Sequence, residues 1–286
     1  AGNALSVGLI DAGSNTVTLV GNNGVIDTGN DAATDIIGTT LTINDGAAGS
    51  AGIIRLDTAV TTLNLIGGDV TIHDGDGIDI AAITASSLDL LTNGGITDSG
   101  AVSVTGLAKF NSTGNSIVLG DATTANFGSL DFSGSAVTIS EASAMEIAAS
   151  EATGALNLTA SGAITQTGVI DAISTSFFNA GADTITLTQA NDFAGAVSLS
   201  NTGTNLVEVT DANAINLGTV NVGGALKVTS SGTITDTGNL TVVGLATLVS
   251  GGNAITLGDE TTANFGSLDF AGSTVTISEG SDMMIA

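Results

Sequence analysis

The chain has 286 residues, of which 42% are hydrophobic, and its formal net charge is −25 at pH 7. Only three residues are basic, and Pro, Cys, Trp and Tyr are absent. We expect no nucleic-acid partner, because phosphate binding requires Lys and Arg, and the negative charge disfavours anionic membrane surfaces. The lack of Cys excludes disulfides. No apolar run is long enough to span a bilayer, so no membrane insertion is expected.

Short triplets in which an apolar, a polar and an apolar residue alternate recur along the whole chain. Such runs, bounded by Gly, Asn, Asp and Ser, predict half-buried strands. No segment has a convincing helical stripe, so the predicted fold class is all-β. In chain order the triplets begin at Val17, Leu63, Val70, Ile78, Leu88, Val102, Ile117, Leu130, Val137, Leu156, Ile185, Val197, Val207, Ile215, Leu226, Ile255 and Val275.

The chain is internally repeated at two lengths. The decamer TTANFGSLDF at 123–132 recurs unchanged at 261–270, and we call the repeat defined by this offset the long repeat. Four isoleucines in similar contexts, Ile26, Ile96, Ile164 and Ile234, mark a finer period of roughly 69 residues. Residues 1–286 are therefore predicted to be one continuous segment of four related units. Their approximate bounds are 11–85, 86–153, 154–223 and 224–286.

Comparison of the units separates inward from outward positions. Apolar residues such as Val70 and Ile72 are kept in the later unit, whereas the residue between them changes from Thr71 to Glu208, and Asp89 becomes Lys227. Each unit divides into about three rungs of roughly 20–28 residues, the size of parallel β-helix coils. We therefore predict a parallel β-helix, or β-solenoid, of about 12 rungs. Neither end shows a terminal cap, so we expect further repeats beyond the segment.

An antiparallel β-sandwich is the competing architecture, because its turns also recur at short, regular intervals. Few Asn-Gly or Asp-Gly hairpin pairs occur, and no Trp supplies a large aromatic core. In the solenoid, Phe127, Leu130 and Phe132 of the decamer are expected to point inward, and Gly128 and Ser129 to form the bend between two strands. The repeated decamer then marks duplication of a double unit.

Several rungs resemble the repeats of filamentous-haemagglutinin-type adhesins and of the very large repeat proteins on Gram-negative bacterial surfaces. These are LNLTASGAITQTG at 156–168, GLAKFNSTGNSIVL at 106–119 and ITLTQANDFAGAVSL at 185–199. The resemblance implies a right-handed parallel β-helix, secretion to the bacterial cell surface, and a shaft that displays other domains. The shaft repeats of that family define no catalytic or binding residues, so none is carried over.

The function expected from these features is a structural shaft in a large secreted surface protein or extracellular fibre, acting as a stalk or adhesin scaffold. Expected partners are further repeats of the same chain, or other copies joined end to end or laterally. A host-cell, matrix or neighbouring-cell surface is the expected target of the whole protein. The alternative is a calcium-stabilised filament subunit that assembles end to end.

The densest carboxylate cluster is the segment DGDGID, in which Asp74, Asp76 and Asp79 are interspersed with two glycines. Glycine permits a tight turn and aspartate supplies the hard oxygen ligands that Ca²⁺ prefers. The segment occurs once, whereas calcium β-rolls repeat their motif on successive rungs. An Asp/Gly turn between two strands and a calcium site formed by these three residues therefore both remain open. No other cofactor is expected.

An enzyme is not expected. The single histidine, His73, lacks a recognisable nucleophile motif and is expected on the surface or in a turn. Polysaccharide-active β-helix enzymes use paired carboxylates and need aromatic platforms for the sugar rings, yet Trp and Tyr are absent. Ice binding needs a regular Thr array, and here the outward residues vary among Thr, Asp, Asn, Ser, Glu and Lys.

Overall fold

The computed structural model describes residues 4–46, 52–121, 124–259, 262–280, 282 and 284–286. Within these ranges the chain is all-β, and parallel strands stack as a β-solenoid of about 13 turns. This confirms the predicted all-β parallel solenoid of about 12 rungs. The described residues include no helix that could cross a membrane. The chain divides into two compact units, Ala1–Ala142 and Ser143–Ala286.

The first unit contains the parallel strands β1 to β16. Their bounds are β1 Leu5–Val7, β2 Ile10–Asp11, β3 Thr16–Val20, β4 Gly24–Asp27, β5 Ile36–Ile37, β6 Thr40–Asn44, β7 Ile53–Ala59, β8 Thr62–Ile66, β9 Asp69–Asp74, β10 Ile78–Ala85, β11 Ser87–Thr92, β12 Ile96–Asp98, β13 Val102–Asn111, β14 Ile117–Leu119, β15 Ala125–Gly134 and β16 Val137–Glu141.

The second unit contains β17 to β32. Their bounds are β17 Met145–Ile147, β18 Ser150–Ala152, β19 Leu156–Ala160, β20 Ile164–Gln166, β21 Ile170–Ala172, β22 Ser176–Asn179, β23 Ile185–Phe193, β24 Ala196–Asn201, β25 Val207–Asp211, β26 Ile215–Val222, β27 Leu226–Ser230, β28 Ile234–Asp236, β29 Leu240–Val249, β30 Ile255–Leu257, β31 Ala263–Ala271 and β32 Val275–Ile277.

Every triplet predicted from the alternation lies inside one of these strands. In all but the last triplet, at Val275, both apolar ends are buried and the middle residue is more exposed. This follows from strand geometry, because successive side chains point to opposite faces. The segment AMEIAASEA, the most helix-like by sequence, forms the two short strands β17 and β18.

The parallel register stacks like positions into continuous columns. In the first unit one inward column runs through five adjacent strands: Ile54, Val70, Leu88, Ala108 and Leu130. All five are buried. The steps from Ile54 to Val70 and from Val70 to Leu88 are shorter than the predicted rung of roughly 20–28 residues. Short corners account for the difference.

The second unit repeats this arrangement. Val207, Leu226, Ala246 and Leu268 form the equivalent column, and all four are fully or almost fully buried. Burial of an aliphatic side chain contributes roughly 1.5–3 kcal/mol. Stacked apolar columns are therefore the main source of stability within each unit.

The repeated decamer has the predicted inward and outward positions. Phe127, Leu130 and Phe132 are buried, and the alternation changes phase at Gly128 and Ser129. The pairing between β13 and β15 has its register shift at the same place.

Aromatic rings in the first unit meet edge to face. The ring of Phe127 lies 5.6 Å from that of Phe110 between centroids. In the second decamer Phe265 and Leu268 are buried, whereas Phe270 is 36% exposed. The first residues of the two decamers, Thr123 and Thr261, lie outside the described residues.

Glycine at the bend is required by a close approach of two turns. A Cβ at Gly128 would lie 2.1 Å from the carbonyl oxygen of Thr105, and one at Gly266 would lie 2.0 Å from that of Val243. Both contacts are far shorter than real Cβ contacts, and both involve backbone, which cannot move aside cheaply. The repeat therefore keeps glycine at this position.

We predict that Gly128→Ala lowers the free energy of unfolding by about 1–3 kcal/mol, because the new methyl group forces adjacent turns apart. Urea unfolding followed by circular dichroism measures the change. Gly8→Ala is the matched control, since a Cβ at Gly8 meets no atom within 4 Å and should change stability by less than about 0.5 kcal/mol. Equal stability of the two variants would contradict the close approach.

Candidate functional site

Asp74, the first residue of the predicted calcium cluster, lies at the end of β9 with its side chain turned inward and only 3% exposed. Its Oδ2 accepts hydrogen bonds from the Thr58 hydroxyl at 2.8 Å and from the Val60 N–H at 3.0 Å. Its Oδ1 accepts the N–H of Asp76 at 2.9 Å. The carboxyl group of Asp74 thus links its own turn to the preceding one.

Asp76 is exposed in the turn that follows β9. Asp79 lies on β10, where its Oδ2 accepts the Ser99 hydroxyl at 2.6 Å. Among the described residues, no group of three or more His, Cys, Asp or Glu is arranged to hold a metal ion. The carboxyl groups of Asp74 and Asp79 are both engaged by protein donors. A calcium site formed by Asp74, Asp76 and Asp79 stays a prediction.

Burial raises the pKa of Asp74, against the lowering effect of its hydrogen bonds from Thr58, Asp76 and Val60, and the neighbouring charge of Asp76 raises it further. Asp211 is the equivalent residue in the later unit. Burial raises its pKa as well, while the N–H groups of Phe193 and Asn213 lower it and the charge of Asp192 raises it. A carboxyl group that is buried in this way costs desolvation energy, so its hydrogen bonds must offset that cost.

Asp74 and Asp211 belong to a larger set of acids with a common position. Each lies at the end of a strand or within two residues after it, and each accepts a backbone N–H from a neighbouring segment. All are buried except Glu279, which is half-buried. We call them the strand-end acids: Asp45, Asp74, Asp98, Glu141, Asp211, Asp236 and Glu279.

Two pairs of strand-end acids make the same hydrogen bond in both copies of the long repeat. In the first pair, Asp98 Oδ1 accepts the N–H of Gly120 at 2.8 Å, and Asp236 Oδ1 accepts that of Gly258 at 2.9 Å. Both glycines have a positive φ, +73° and +71°, which L side chains rarely adopt. The acid and the glycine therefore form one recurring turn.

The second pair extends a strand ladder. β15 pairs with β16 at a single position, Ala125 opposite Glu141. Beyond that position the Glu141 side chain provides the acceptor instead of a backbone carbonyl: its Oε1 accepts the N–H of Phe127 at 3.0 Å. Glu279 accepts the N–H of Phe265 at 2.9 Å in the same way.

The sequence alone pointed to the strand-end acids only weakly. From the sequence, the aspartates of the DGDGID segment fit a turn between two strands or a calcium site. A signal does exist, because Asp74 follows Ile72 by two residues and Asp211 follows Val209 by two, so both stay in the inward phase of their strands. Extending the period-two pattern past the last apolar residue would have placed them inside.

A cleft in the first unit is lined in part by residues that have no counterpart elsewhere in the repeat, among them the single His and the single Arg. It consists of two adjoining cavities of about 360 and 280 Å³, which share Ala32, Asp57 and His73. The larger cavity is also lined by Arg55, the single arginine of the chain, and by Asp27. The cleft therefore brings the single His and the single Arg together among carboxylates.

Within the cleft, His73 is exposed as predicted and its Nδ1 lies 3.4 Å from Oδ1 of Asp57. The two residues are register partners on β9 and β7. Burial raises the pKa of a third residue, Asp35, and nearby Asp27 and Asp57 raise it further, whereas the N–H of Asp57 lowers it.

The other two basic residues lie on outward strand positions beside acids. Lys109 Nζ is 3.8 Å from Asp131, and Lys227 Nζ is 3.0 Å from Glu208. Exposed ion pairs of this kind contribute at most about 1 kcal/mol. They leave no concentrated basic surface on the described residues of either unit.

Three segments of the chain match one family model, described as "Repeats of unknown function (DUF5649)". The segments are residues 67–131, 134–200 and 203–276. They follow one another at nearly the finer period of roughly 69 residues that the isoleucines mark, and together they cover more than half of the chain. No curated protein and no solved structure matches the chain. The bounds predicted for the four units stay a prediction.

We predict that Asp74→Ala lowers the free energy of unfolding by about 2–3 kcal/mol, because it leaves buried donors without an acceptor. Asp76→Ala is the matched control two residues away, and its exposed side chain should matter by less than about 0.5 kcal/mol. Both values come from urea unfolding at pH 7. Similar costs for the two variants would contradict a structural role that belongs to Asp74 alone.

Proposed function

We propose a structural function for this chain, which belongs to the DUF5649 family of repeats: it is a shaft segment within a larger bacterial surface protein or extracellular fibre. In this function the solenoid sets distance and stiffness, and the binding of targets belongs to other parts of the protein. Catalysis has no role in the proposal.

The observation that supports this proposal most strongly is the recurrence of the same internal hydrogen bonds in both copies of the long repeat. Besides the strand-end acids, the Ser112 hydroxyl donates to the carbonyl of Asn115 at 2.6 Å, and the Ser250 hydroxyl donates to that of Asn253 at 2.6 Å. A repeat whose turns are hydrogen-bonded by its own side chains can be duplicated without new residues at those turns. Duplication lengthens a shaft, whereas it adds little to a site built from unique residues.

The outward positions also support a scaffold, because their residues differ between the two copies of the long repeat. Asp89, Lys109 and Asp131 are neighbours on one outward row of the first unit. Their counterparts in the second copy of the long repeat are Lys227, Thr247 and Asp269, which are neighbours in the second unit. The chemistry of the outer face thus changes while the interior stays the same. This favours a scaffold over a regular array that recognises one repeated ligand, such as ice.

The proposed export, surface location and partners rest on composition and on the resemblance to adhesin shafts. A charge of −25 with no Cys suits a chain that crosses membranes unfolded and works outside the cell, because no disulfide can form before or during export. Its partners are then further repeats of the same chain, and the whole protein contacts a host-cell, matrix or neighbouring-cell surface.

Epitope tags in two equivalent exposed turns test the proposal on the whole protein in its own cells. Thr113–Gly114 and Gly251–Gly252 are such turns, one in each copy of the long repeat. We expect antibodies to label both tags on intact cells without permeabilisation, because a surface shaft exposes its turns along its length. An internal cytoplasmic protein is the control and must stay unlabelled. Labelling of either tag only after permeabilisation would contradict the surface location.

A further inference from the structure

The chain contains two Asn–Gly pairs, and the structure holds them in opposite ways. They are Asn23–Gly24, at the start of β4, and Asn93–Gly94, in the turn between β11 and β12. In an Asn–Gly pair the next backbone nitrogen readily attacks the asparagine side chain, because glycine has no Cβ to block the approach and its backbone rotates freely. In a folded chain this attack requires that the glycine nitrogen be free of hydrogen bonds.

The glycine nitrogen of the first pair is held. Gly24 is buried, and its N–H donates to Oδ1 of Asp45 at 2.7 Å. Asp45 is one of the strand-end acids and is itself fully buried. Gly24 is also the register partner of Ile53 in the pairing of β4 with β7. A buried hydrogen bond to a carboxylate must therefore break before this nitrogen can attack the neighbouring side chain.

The glycine nitrogen of the second pair is free. No acceptor in the described part of the chain lies within hydrogen-bonding distance of the Gly94 N–H, and Gly94 is half-buried. The side chain of Asn93 is exposed. Its backbone is anchored on both sides, because its N–H donates to the carbonyl of Asp74 at 3.1 Å and its carbonyl accepts Nδ2–H of Asn115 at 3.2 Å. The turn thus stays in place while the two reacting groups remain accessible.

We propose that Asn93 is a modification site, at which the folded chain converts asparagine into aspartate and isoaspartate without an enzyme. The nitrogen of Gly94 attacks Cγ of Asn93, so an N–Cγ bond forms and the Cγ–Nδ2 bond breaks. The Gly94 proton leaves with the side-chain nitrogen as ammonia, and a succinimide ring remains. Water then opens the ring at Cγ, which gives aspartate, or at the backbone carbonyl carbon, which gives isoaspartate. Nothing is oxidised or reduced.

Both products disturb the stacking of adjacent turns. The register places Thr92 opposite Asp74, so the new carboxylate appears beside the turn that holds Asp74 and Asp76, and like charges repel. Isoaspartate also adds an atom to the backbone where there is no room. A Cβ at Gly94 would already lie 2.5 Å from the backbone nitrogen of Gly77 in that turn. Because the ammonia is lost, the modified fraction grows with the age of the molecule.

Mass spectrometry of the whole chain, aged at pH 7 and then digested with trypsin, tests the modification. Trypsin puts the two pairs in separate peptides, 1–55 and 56–109. We expect Asn93 to become an acid about tenfold faster than Asn23 or more, because the Gly24 N–H must first leave its hydrogen bond to a carboxylate. In urea, which unfolds the chain, the two rates should be similar. Equal rates in the folded chain, or no reaction at Asn93, would overturn the proposal.

Hydroxylamine supplies a second measurement, because it cleaves a chain at the succinimide. The folded chain should be cut after Asn93 into 1–93 and 94–286 and should stay intact at Asn23, whereas the chain in urea should be cut at both. Asn93→Gln keeps an exposed amide but requires a larger ring, so it should abolish cleavage of the folded chain. Asn23→Gln is the matched control and should leave that cleavage unchanged. Undiminished cleavage of folded Asn93→Gln would show that the reacting pair lies elsewhere.

Discussion

The strand-end acids provide the interaction on which the rest of the structure depends. Where a strand ends in a solenoid, its backbone turns away from the sheet. The next amide of the neighbouring strand then loses its carbonyl partner in the ladder. A buried N–H without an acceptor costs about 1–3 kcal/mol, and several such corners would offset much of the stability of a domain. Side chains such as Glu141 supply the missing acceptor at 3.0 Å. The apolar columns can then stack without interruption.

Carboxylates suit this role because they accept several hydrogen bonds and donate none. Asp74 accepts three. An amide in a similar place needs a partner for its own N–H groups: Asn191 accepts the N–H of Ile170 at 2.9 Å, and it also exchanges hydrogen bonds with Gln166 at 2.8 and 3.0 Å. The acid meets the same need with one residue, at the cost of desolvating a charge. That cost appears as the raised pKa of Asp74 and Asp211.

Much of the fold could be predicted from the sequence, because strand periodicity and repeat alignment report directly on the apolar columns. The inward positions of Phe127 and Leu130 and the bend at Gly128 followed from comparing units. The direction of Asp74 did not, because a charged residue beside glycines fits a solvent-facing turn equally well. The cleft is lined by residues as distant in sequence as Asp27 and His73, and no local pattern reports that they lie at one cavity.

Through-hydrogen-bond scalar couplings measured by NMR test the central claim most directly, since they identify the acceptor of each amide. In isotopically labelled protein, the account predicts a correlation from the amide nitrogen of Phe127 to the side-chain carboxyl carbon of Glu141. It predicts an equivalent correlation from Gly258 to Asp236. Correlations from these amides to backbone carbonyl carbons instead, in spectra where ordinary strand couplings are seen, would contradict the role given to the strand-end acids.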